Sequence, residues 1–215
     1  MAYDLEEQEQ LATLKAWWAK YGNLTTWVVI AGLAAYSGWN GWNYYQRNQA
    51  AQASVLFDEL QTAVSAKDNA KVARVAGDIE AKFGRTAYAS LGALSAAKSF
   101  FEANDLKSAK AQLEWVVANG NDEHKNIASI RLAGVLLDEK AYDAALKALA
   151  VAALPQFKSA VEDRKGDILA AQNKMEEART AYKAALEAAD KNNPGRQLIQ
   201  LKLESIGGSV PEVKA

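Results

Sequence analysis

The sequence predicts an all-α protein, in which a single N-terminal transmembrane helix is followed by an α-solenoid of about four helix pairs. Alanine, the best helix former, makes up about a fifth of the chain, whereas proline occurs only three times in 215 residues. One uncharged apolar segment lies near the N-terminus, and helical patterns recur at a fixed period in the rest of the chain. These observations favour helices and argue against a β-sandwich or β-barrel.

The composition excludes several classes of function. Lys and Arg number 25 and Asp and Glu number 26, so the chain lacks the basic excess that is typical of nucleic-acid-binding proteins. It contains no cysteine, which excludes disulfide frameworks, thiol catalysis and cysteine-ligated zinc, and which is compatible with an oxidising compartment. We therefore expect no nucleic acid, no metal, no cofactor and no small-molecule substrate among the ligands.

Residues 1–22 are predicted to form a short acidic cytoplasmic tail and residues 23–46 a transmembrane helix. No Asp, Glu, Lys or Arg occurs from Tyr21 to Gln46, and tryptophan and tyrosine flank the apolar run at both ends. As a helix, residues 24–45 would extend roughly 33 Å, about the thickness of the hydrocarbon core of a bilayer. A buried helix of a soluble core is the alternative, but it gives no reason for indoles at both ends.

A cleaved signal peptide is a second alternative for this segment. The residues before it are acidic overall, whereas a secretory signal begins with a short positive region, so we expect an uncleaved anchor. Lys15 and Lys20 precede the span and only Arg47 follows it closely. The positive-inside rule therefore favours a cytoplasmic N-terminus and, in the inner membrane of a bacterium, a periplasmic C-terminal domain.

Small residues recur four apart within the predicted span. On a helix they would lie along one side and would allow close contact with another membrane helix. The alternative is that glycine and alanine are simply common in membrane helices. The predicted contact face comprises Ala31, Ala34, Ala35, Ser37, Gly38 and Gly41.

Residues 47–206 are predicted to form a repeat domain and residues 207–215 a flexible C-terminal tail. In each proposed unit, an apolar residue ends one helix, a short polar turn follows, and an alanine appears soon afterwards. These alanines are Ala73, Ala109, Ala145 and Ala178. Their spacing matches the helix–turn–helix unit of the tetratricopeptide repeat, which is about 34 residues long. A chance period in an alanine-rich helical bundle is the alternative.

Other positions of the units agree with this period. Twelve residues before the alanine, small residues would allow the two helices of a unit to cross closely, and four residues after it an apolar residue recurs. These residues are Ala97, Ala133 and Gly166 before the alanine, and Leu113, Leu149 and Tyr182 after it. The first unit places Gln61 and Gly77 at these positions and is therefore predicted to be degenerate.

An acidic tail, one N-terminal span and tetratricopeptide-like repeats together resemble the bacterial YfgM family, the ancillary SecYEG translocon subunit. The most similar segments are 82–89 (KFGRTAYA), 130–137 (IRLAGVLL) and 162–171 (EDRKGDILAA). The resemblance covers essentially the whole chain. It implies an inner-membrane protein with a periplasmic repeat domain, which associates with SecYEG and with the membrane-anchored periplasmic chaperone PpiD in handling secreted or outer-membrane proteins. It implies no catalytic residue.

The sequence contains few residues that suggest catalysis. The single histidine, His124, stands among solvated charges at a predicted helix start, without a second histidine or a cysteine for a metal site. No G-x-S-x-G or nucleotide-binding glycine motif occurs. Paired carboxylates such as Asp78 with Glu80 are explained by a solvated helix face. We therefore expect a protein that is not an enzyme.

The predicted functional surface is the inner side of the stacked helix pairs, which is lined by the first helix of each pair and can bind a peptide or a partner protein. The alternative is that its apolar members belong to the core between repeats. The predicted groove comprises Leu94, Lys98, Phe101, Ile130, Arg131, Leu137, Asp163 and Asp167.

Two functional hypotheses follow from the residues and the resemblance. The first is a membrane-anchored scaffold that binds the SecYEG translocon and a PpiD-like chaperone beside the lipid bilayer. The second is a membrane-tethered adaptor that regulates an envelope stress-signalling or assembly protein through the same groove. An enzyme is a third hypothesis, and it would need a site that no motif indicates.

Overall fold

The computed structural model describes residues 2–152, 154–190 and 192–209, with side chains from Glu6 onward. The regular elements in these ranges are all helical, and the chain divides into an N-terminal unit, residues 1–49, and a repeat unit, residues 50–215. The helices are α1 (Ala2–Ser65), α2 (Asn69–Phe83), α3 (Ala87–Glu102), α4 (Leu106–Asn119), α5 (Asp122–Asp138), α6 (Tyr142–Leu149), α7 (Lys158–Ala171), α8 (Met175–Ala188) and α9 (Arg196–Ser205), with a 3₁₀ turn at Pro155–Phe157.

The N-terminal unit consists of the part of α1 up to Gln49. Its large apolar side chains are exposed on all sides of the helix, with Trp27 at 65% and Leu33 at 61% exposure. Among the described residues, no helix combines the length and the apolarity that a membrane span requires. The helix predicted over residues 23–46 is therefore confirmed as a helix, while its role as a membrane span stays a prediction.

The predicted contact face of this helix is exposed along its whole length. A Cβ atom added at Gly38 or Gly41 would meet no other atom within 4 Å, so neither glycine is required by packing within the chain. A partner helix for this face stays a prediction. The predicted flexible tail stays one as well, because residues 210–215 lie outside the described residues.

The described part of the repeat unit contains four helix pairs, and the same turn connects the two helices of each pair. The pairs are the C-terminal part of α1 with α2, α3 with α4, α5 with α6, and α7 with α8. The second residue after the first helix of each pair has a positive φ, between 56° and 63°. Its N–H donates to the carbonyl three residues earlier, and the next N–H donates to the carbonyl five residues earlier, which is the Schellman arrangement. The positive-φ residues are Lys67, Asn104, Lys140 and Asn173. Their recurrence confirms the predicted repeat.

The turns correct the register of the first repeat. The residue five positions after each positive-φ residue is fully buried, and these residues are Val72, Ala109, Ala145 and Ala178. Ala73 is exposed, so its assignment to the repeat position is wrong by one residue. The reason is that the first and second turns lie 37 residues apart, one more than the next interval, and this shifts the buried face of α2.

The corrected register also changes the interpretation of the first repeat. The positions twelve residues before and four residues after Val72 are Leu60 and Ala76, in place of Gln61 and Gly77. Both Leu60 and Ala76 are buried. The assignment of Gln61 and Gly77 to these positions is therefore wrong. The first repeat still differs from the others, because the large residue, Leu60, stands where they have a small one.

Complementary side-chain sizes allow the two helices of each pair to cross. The paired positions are Leu60 with Ala76, Ala97 with Leu113, Ala133 with Leu149, and Gly166 with Tyr182. The smallest residue faces the largest one, since a Cβ atom on Gly166 would lie 2.5 Å from the Tyr182 ring. A large residue at one position thus requires a small one at the other, because protein interiors are close-packed.

Three apolar clusters run along the repeat unit and carry its core. Neighbouring pairs share the first two clusters, whereas the third is formed by the last pair and α9. The last cluster is completed by α9, whose Leu203 is fully buried with Tyr182 and Leu186 of α8. Helix α9 therefore covers the apolar surface that the fourth pair would otherwise expose.

Candidate protein-binding groove

A cavity of about 330 Å³ lies on the side of the repeat unit that is formed by the first helices of the pairs. Helices α3, α5 and α7 supply all but one of its lining residues, and α4 supplies the other. We call this cavity the inner groove. Its lining residues are Ala97, Lys98, Phe101, Leu113, Arg131, Gly134, Val135, Asp138 and Arg164.

The apolar part of the inner groove combines a buried floor with one exposed aromatic ring. Ala97, Leu113 and Val135 are at most 3% exposed and belong to the core. Phe101 lies one turn after Ala97 on α3, and 44% of its surface is exposed. An exposed phenylalanine beside an apolar cavity offers a contact surface to an apolar side chain of another molecule.

The polar part of the inner groove is mainly cationic. Among the described residues, Arg131 has no carboxylate partner, and its only hydrogen bond is a long one of 3.5 Å from Nη1 to the carbonyl of Leu94. The Arg131 side chain is exposed on the surface of α5. Its guanidinium group therefore keeps most of its donors free for a ligand.

The second arginine of the inner groove comes from the next repeat. The Arg164 Nη1 atom donates to Asp167 Oδ2 at 3.2 Å, while its Nε atom is buried and has no partner in the described part of the chain. The guanidinium lies across α5 at Gly134, where an added Cβ atom would be 3.5 Å from Arg164 Cζ. A side chain longer than alanine at position 134 would displace the guanidinium from this place.

Two further charged residues complete the lining. Lys98 lies 3.6 Å from Glu102 in an exposed pair on α3, and Asp138 is exposed near the C-terminal end of α5. The three cationic lining residues outnumber this single acidic one. Because Glu102 and Asp167 pair with Lys98 and Arg164, Arg131 is the lining cation that has no carboxylate partner among the described residues.

The structure brings three of the predicted groove residues together, namely Lys98, Phe101 and Arg131. Leu94 is buried in the core, and Ile130 and Leu137 pack half-buried against it, as the alternative interpretation held for the apolar members. These three residues do not line the inner groove, because their side of the helix faces neighbouring repeats.

The two predicted aspartates, Asp163 and Asp167, bind a lysine of α9 and do not line the inner groove. The Lys202 Nζ atom of α9 donates to Asp163 Oδ1 at 2.8 Å and to Asp167 Oδ2 at 3.1 Å, and the Tyr182 hydroxyl donates to Asp167 Oδ1 at 2.9 Å. Burial raises the pKa of the Asp163 carboxyl, and the Lys202 ammonium opposes that rise. Burial and the nearby Asp167 also raise the pKa of Tyr182. The cluster attaches α9 to α7 and lies outside the inner groove.

Sequence reasoning missed Arg164, although the repeat contained a signal for it. Arg131 stands two residues before Ala133, and Arg164 stands two residues before Gly166, so they occupy equivalent positions in neighbouring repeats. Equivalent positions of stacked repeats lie side by side. Comparing the repeats position by position would have placed both guanidinium groups on one surface.

The residues considered for catalysis form no site in the described part of the chain. His124 lies in the first turn of α5, and its backbone N–H donates to the side chain of Asn121, the residue that caps the helix. The described residues contain no group of three or more His, Cys, Asp or Glu side chains that would hold a metal ion. The described lining of the inner groove includes no histidine and no hydroxyl side chain.

Comparison with known proteins agrees with the fold. The family model of the tetratricopeptide repeat-like domain matches residues 15–208. A protein of Neisseria gonorrhoeae called the ancillary SecYEG translocon subunit is 33% identical over 96% of this chain and 100% of its own length. Proteins of the same name from Haemophilus influenzae and Escherichia coli are 31% and 30% identical, over 83% and 93% of this chain and over 91% and 96% of their own lengths.

The matches extend over nearly the whole of the relatives as well as over both units of this chain. The four helix pairs of the structure lie within the residues that the family model matches. The chain therefore belongs to the YfgM family of ancillary SecYEG translocon subunits, whose members contain a tetratricopeptide repeat-like domain.

Proposed function

We propose that this protein is a membrane-anchored scaffold that binds other proteins at the SecYEG translocon and does not catalyse a reaction. The observation that carries this proposal is the inner groove, a cavity with an exposed phenylalanine and free arginine donors on the first-helix side of the repeats. Support also comes from the relatives, which are named ancillary SecYEG translocon subunits.

The proposal includes attachment to the bacterial inner membrane through residues 23–46 as a single span. The supporting features are the lack of charged residues from Tyr21 to Gln46 and the exposure of the large apolar side chains between them. The hydroxyl groups of Thr25 and Thr26 donate to helix carbonyls at 3.0 and 2.8 Å, so they need no water. Confinement to the bilayer would raise the effective concentration of membrane-bound partners.

Two measurements test the attachment and its orientation. The protein should remain in membranes that are washed with alkaline carbonate, and its release would overturn the proposed span. Because the chain has no native cysteine, Ser209→Cys and Ala12→Cys each introduce a single thiol. In intact spheroplasts, an impermeant maleimide should label the thiol at position 209 and not the one at position 12. The reverse labelling would contradict a periplasmic repeat unit.

The proposed partners are SecYEG and a membrane-anchored periplasmic chaperone of the PpiD type, with the inner groove as the contact surface. Such a scaffold would hold the chaperone near secreted or outer-membrane proteins as they emerge from the channel. Binding of this kind requires surface complementarity and no cofactor.

Photocrosslinking tests the proposed partners. A benzoyl-phenylalanine at position 101 of the full chain in its native membrane should crosslink to SecYEG subunits or to the chaperone. Leu91 is the matched control, because it lies on the same helix with a similar exposure, 40% against 44%, and does not line the groove. Capture of only an envelope signalling or assembly protein would establish the adaptor hypothesis instead, and equal crosslinking at both positions would refute a role for the groove.

A further inference from the structure

We infer that the inner groove recognises an acidic segment of a partner protein, with Arg131 and Arg164 binding Asp or Glu side chains and Phe101 contacting an apolar side chain next to them. The inference rests on the proposed function, since it takes the inner groove to be the partner site. It adds the chemistry of the segment that binds there.

First, the two guanidinium groups come from positions that lie close together. Arg131 and Gly134 lie three residues apart on α5, so their Cβ positions are neighbours on the helix surface, about 5–6 Å apart. The Arg164 guanidinium occupies the place beside Gly134. Two cationic groups from neighbouring repeats therefore lie within reach of one acidic segment.

The second argument is the unused hydrogen-bonding capacity of these groups. A guanidinium has five N–H donors. Arg164 uses one for Asp167, and Arg131 uses one for a long bond of 3.5 Å to a carbonyl. The Arg164 Nε atom is buried, so the donors available to a ligand are the other Nη donors of Arg164 and those of Arg131. Carboxylates bind guanidinium groups through paired, charge-assisted hydrogen bonds, which makes them well-matched ligands for these donors.

The third argument is the balance of charge around the cavity. Asp167 neutralises part of the Arg164 charge and Glu102 part of the Lys98 charge, while no described carboxylate pairs with Arg131. Asp138 is the one acidic lining residue. An acidic segment therefore complements the unpaired Arg131, whereas a basic segment would be repelled by it.

The fourth argument places the apolar part of the segment. Phe101 and the buried Ala97, Leu113 and Val135 line the same cavity as the two arginines. In an extended peptide, side chains alternate in direction and successive ones are about 3.3 Å apart along the chain. An apolar residue between two acidic ones can thus contact the floor while its neighbours reach the guanidinium groups. We therefore commit to acidic side chains within a chain and not to a C-terminal carboxylate.

The test uses the full-length protein in detergent micelles and fluorescent peptides that are acetylated at the N-terminus and amidated at the C-terminus. The acidic peptide contains the sequence Glu-Leu-Glu flanked by serines. The neutral peptide has Gln in place of Glu, and a third peptide is the neutral one with a free C-terminal carboxylate. Fluorescence anisotropy should show the acidic peptide binding about tenfold or more tightly than the neutral one, and added salt should weaken its binding.

Variants of the protein then locate the binding. Arg131→Gln should weaken the acidic peptide about tenfold, because it removes a charge-assisted contact without breaking any ion pair within the described residues. Arg85→Gln is the matched control, since it removes the same charge from an exposed arginine outside the groove and should leave the affinity unchanged. Arg131→Glu should abolish binding, and circular dichroism should show that it retains the helical fold.

Three outcomes would overturn the inference. These are equal binding of the acidic and neutral peptides, an equal loss with Arg85→Gln, and tight binding of only the peptide with the free C-terminus. The failure of this inference is distinguishable from that of the proposed function, because crosslinking of the translocon from position 101 does not depend on these peptides.

Discussion

Both units of this protein are helical, but the large apolar side chains are exposed in the N-terminal unit and buried in the repeat unit. In the N-terminal unit, Trp27 and Leu33 are 65% and 61% exposed, whereas Leu60 and Leu203 of the repeat unit are fully buried. When apolar side chains occur on all sides of a helix, packing one face against a neighbour leaves the other faces exposed. The repeat unit obtains its apolar surroundings from its own neighbouring helices, while the large apolar side chains of the N-terminal unit have no such cover within the described residues.

The two units also differ in their turns. The repeat unit is interrupted four times by the same positive-φ turn, and each turn brings a second helix against the first. The described part of the N-terminal unit has no such turn. Its helix therefore has no partner within its own unit, and its exposed side chains follow from this directly.

Truncation of one leucine in each unit should give the largest contrast. Leu60→Ala removes a fully buried side chain and should lower the free energy of unfolding by about 2–5 kcal/mol. Leu33→Ala removes an exposed one and should change the stability of the repeat unit in detergent by less than about 0.5 kcal/mol. Urea unfolding followed by circular dichroism measures both, and similar losses would break the comparison.

Removal of Lys202 should detach α9 from the last helix pair. Lys202→Met leaves Asp163 and Asp167 without their ammonium partner and should lower the free energy of unfolding at neutral pH by about 1.5–3 kcal/mol. Lys165→Met is the control, because its pair with Glu162 is exposed and 3.6 Å long, and it should have little effect.

The loss caused by Lys202→Met should depend on pH in a stated direction. Burial already raises the pKa of Asp163, and without the ammonium group that pKa rises further. A carboxyl whose pKa is higher in the folded state than in the unfolded state binds its proton more tightly when folded, so acid favours the folded state. The difference from the wild type should shrink as the pH falls through the raised pKa, and a difference that grows would refute the assignment.

A methyl group added to a glycine should affect the two units differently. Gly166→Ala places a Cβ atom 2.5 Å from the Tyr182 ring and should cost about 1–3 kcal/mol. Gly38→Ala meets no atom within 4 Å and should not destabilise the protein. The double variant Gly166→Ala, Tyr182→Leu restores the size pairing of the second and third repeats. Because Tyr182→Leu also removes the hydrogen bond from the Tyr182 hydroxyl to Asp167, its own cost is measured in the single variant. Gly166→Ala should cost less in the Tyr182→Leu background than in the wild type, and an equal cost would contradict the size rule.

The smallest expected effect concerns the turns that distinguish the units. Lys140 has a φ of 60°, a conformation that glycine adopts without strain, so Lys140→Gly should stabilise the repeat unit by up to about 1 kcal/mol. Lys147→Gly, in the last turn of α6, should instead destabilise it by up to about 1 kcal/mol. Thermal unfolding of the two variants compares them, and a loss at both positions would show that the turn is not strained.

The inner groove contains three of the eight residues that the sequence predicts for it. The repeat places Lys98, Phe101 and Arg131 on the first helices, and all three line the cavity. Arg164 also lines it, although the sequence predicts its neighbours Asp163 and Asp167 instead. Only the position of α9, which brings Lys202 to both aspartates, explains why those two residues do not line the groove.

By itself, the sequence determined the helical class, the number of helix pairs and the uncharged segment, because helix propensity, repeat period and charge patterning are local properties of the chain. Tertiary structure decided the register of the first repeat, the pairing of Gly166 with Tyr182 and the placement of Arg164 over Gly134. These features depend on contacts between residues that are distant in the chain. Close packing selects among such contacts by shape, and the period alone does not contain that information.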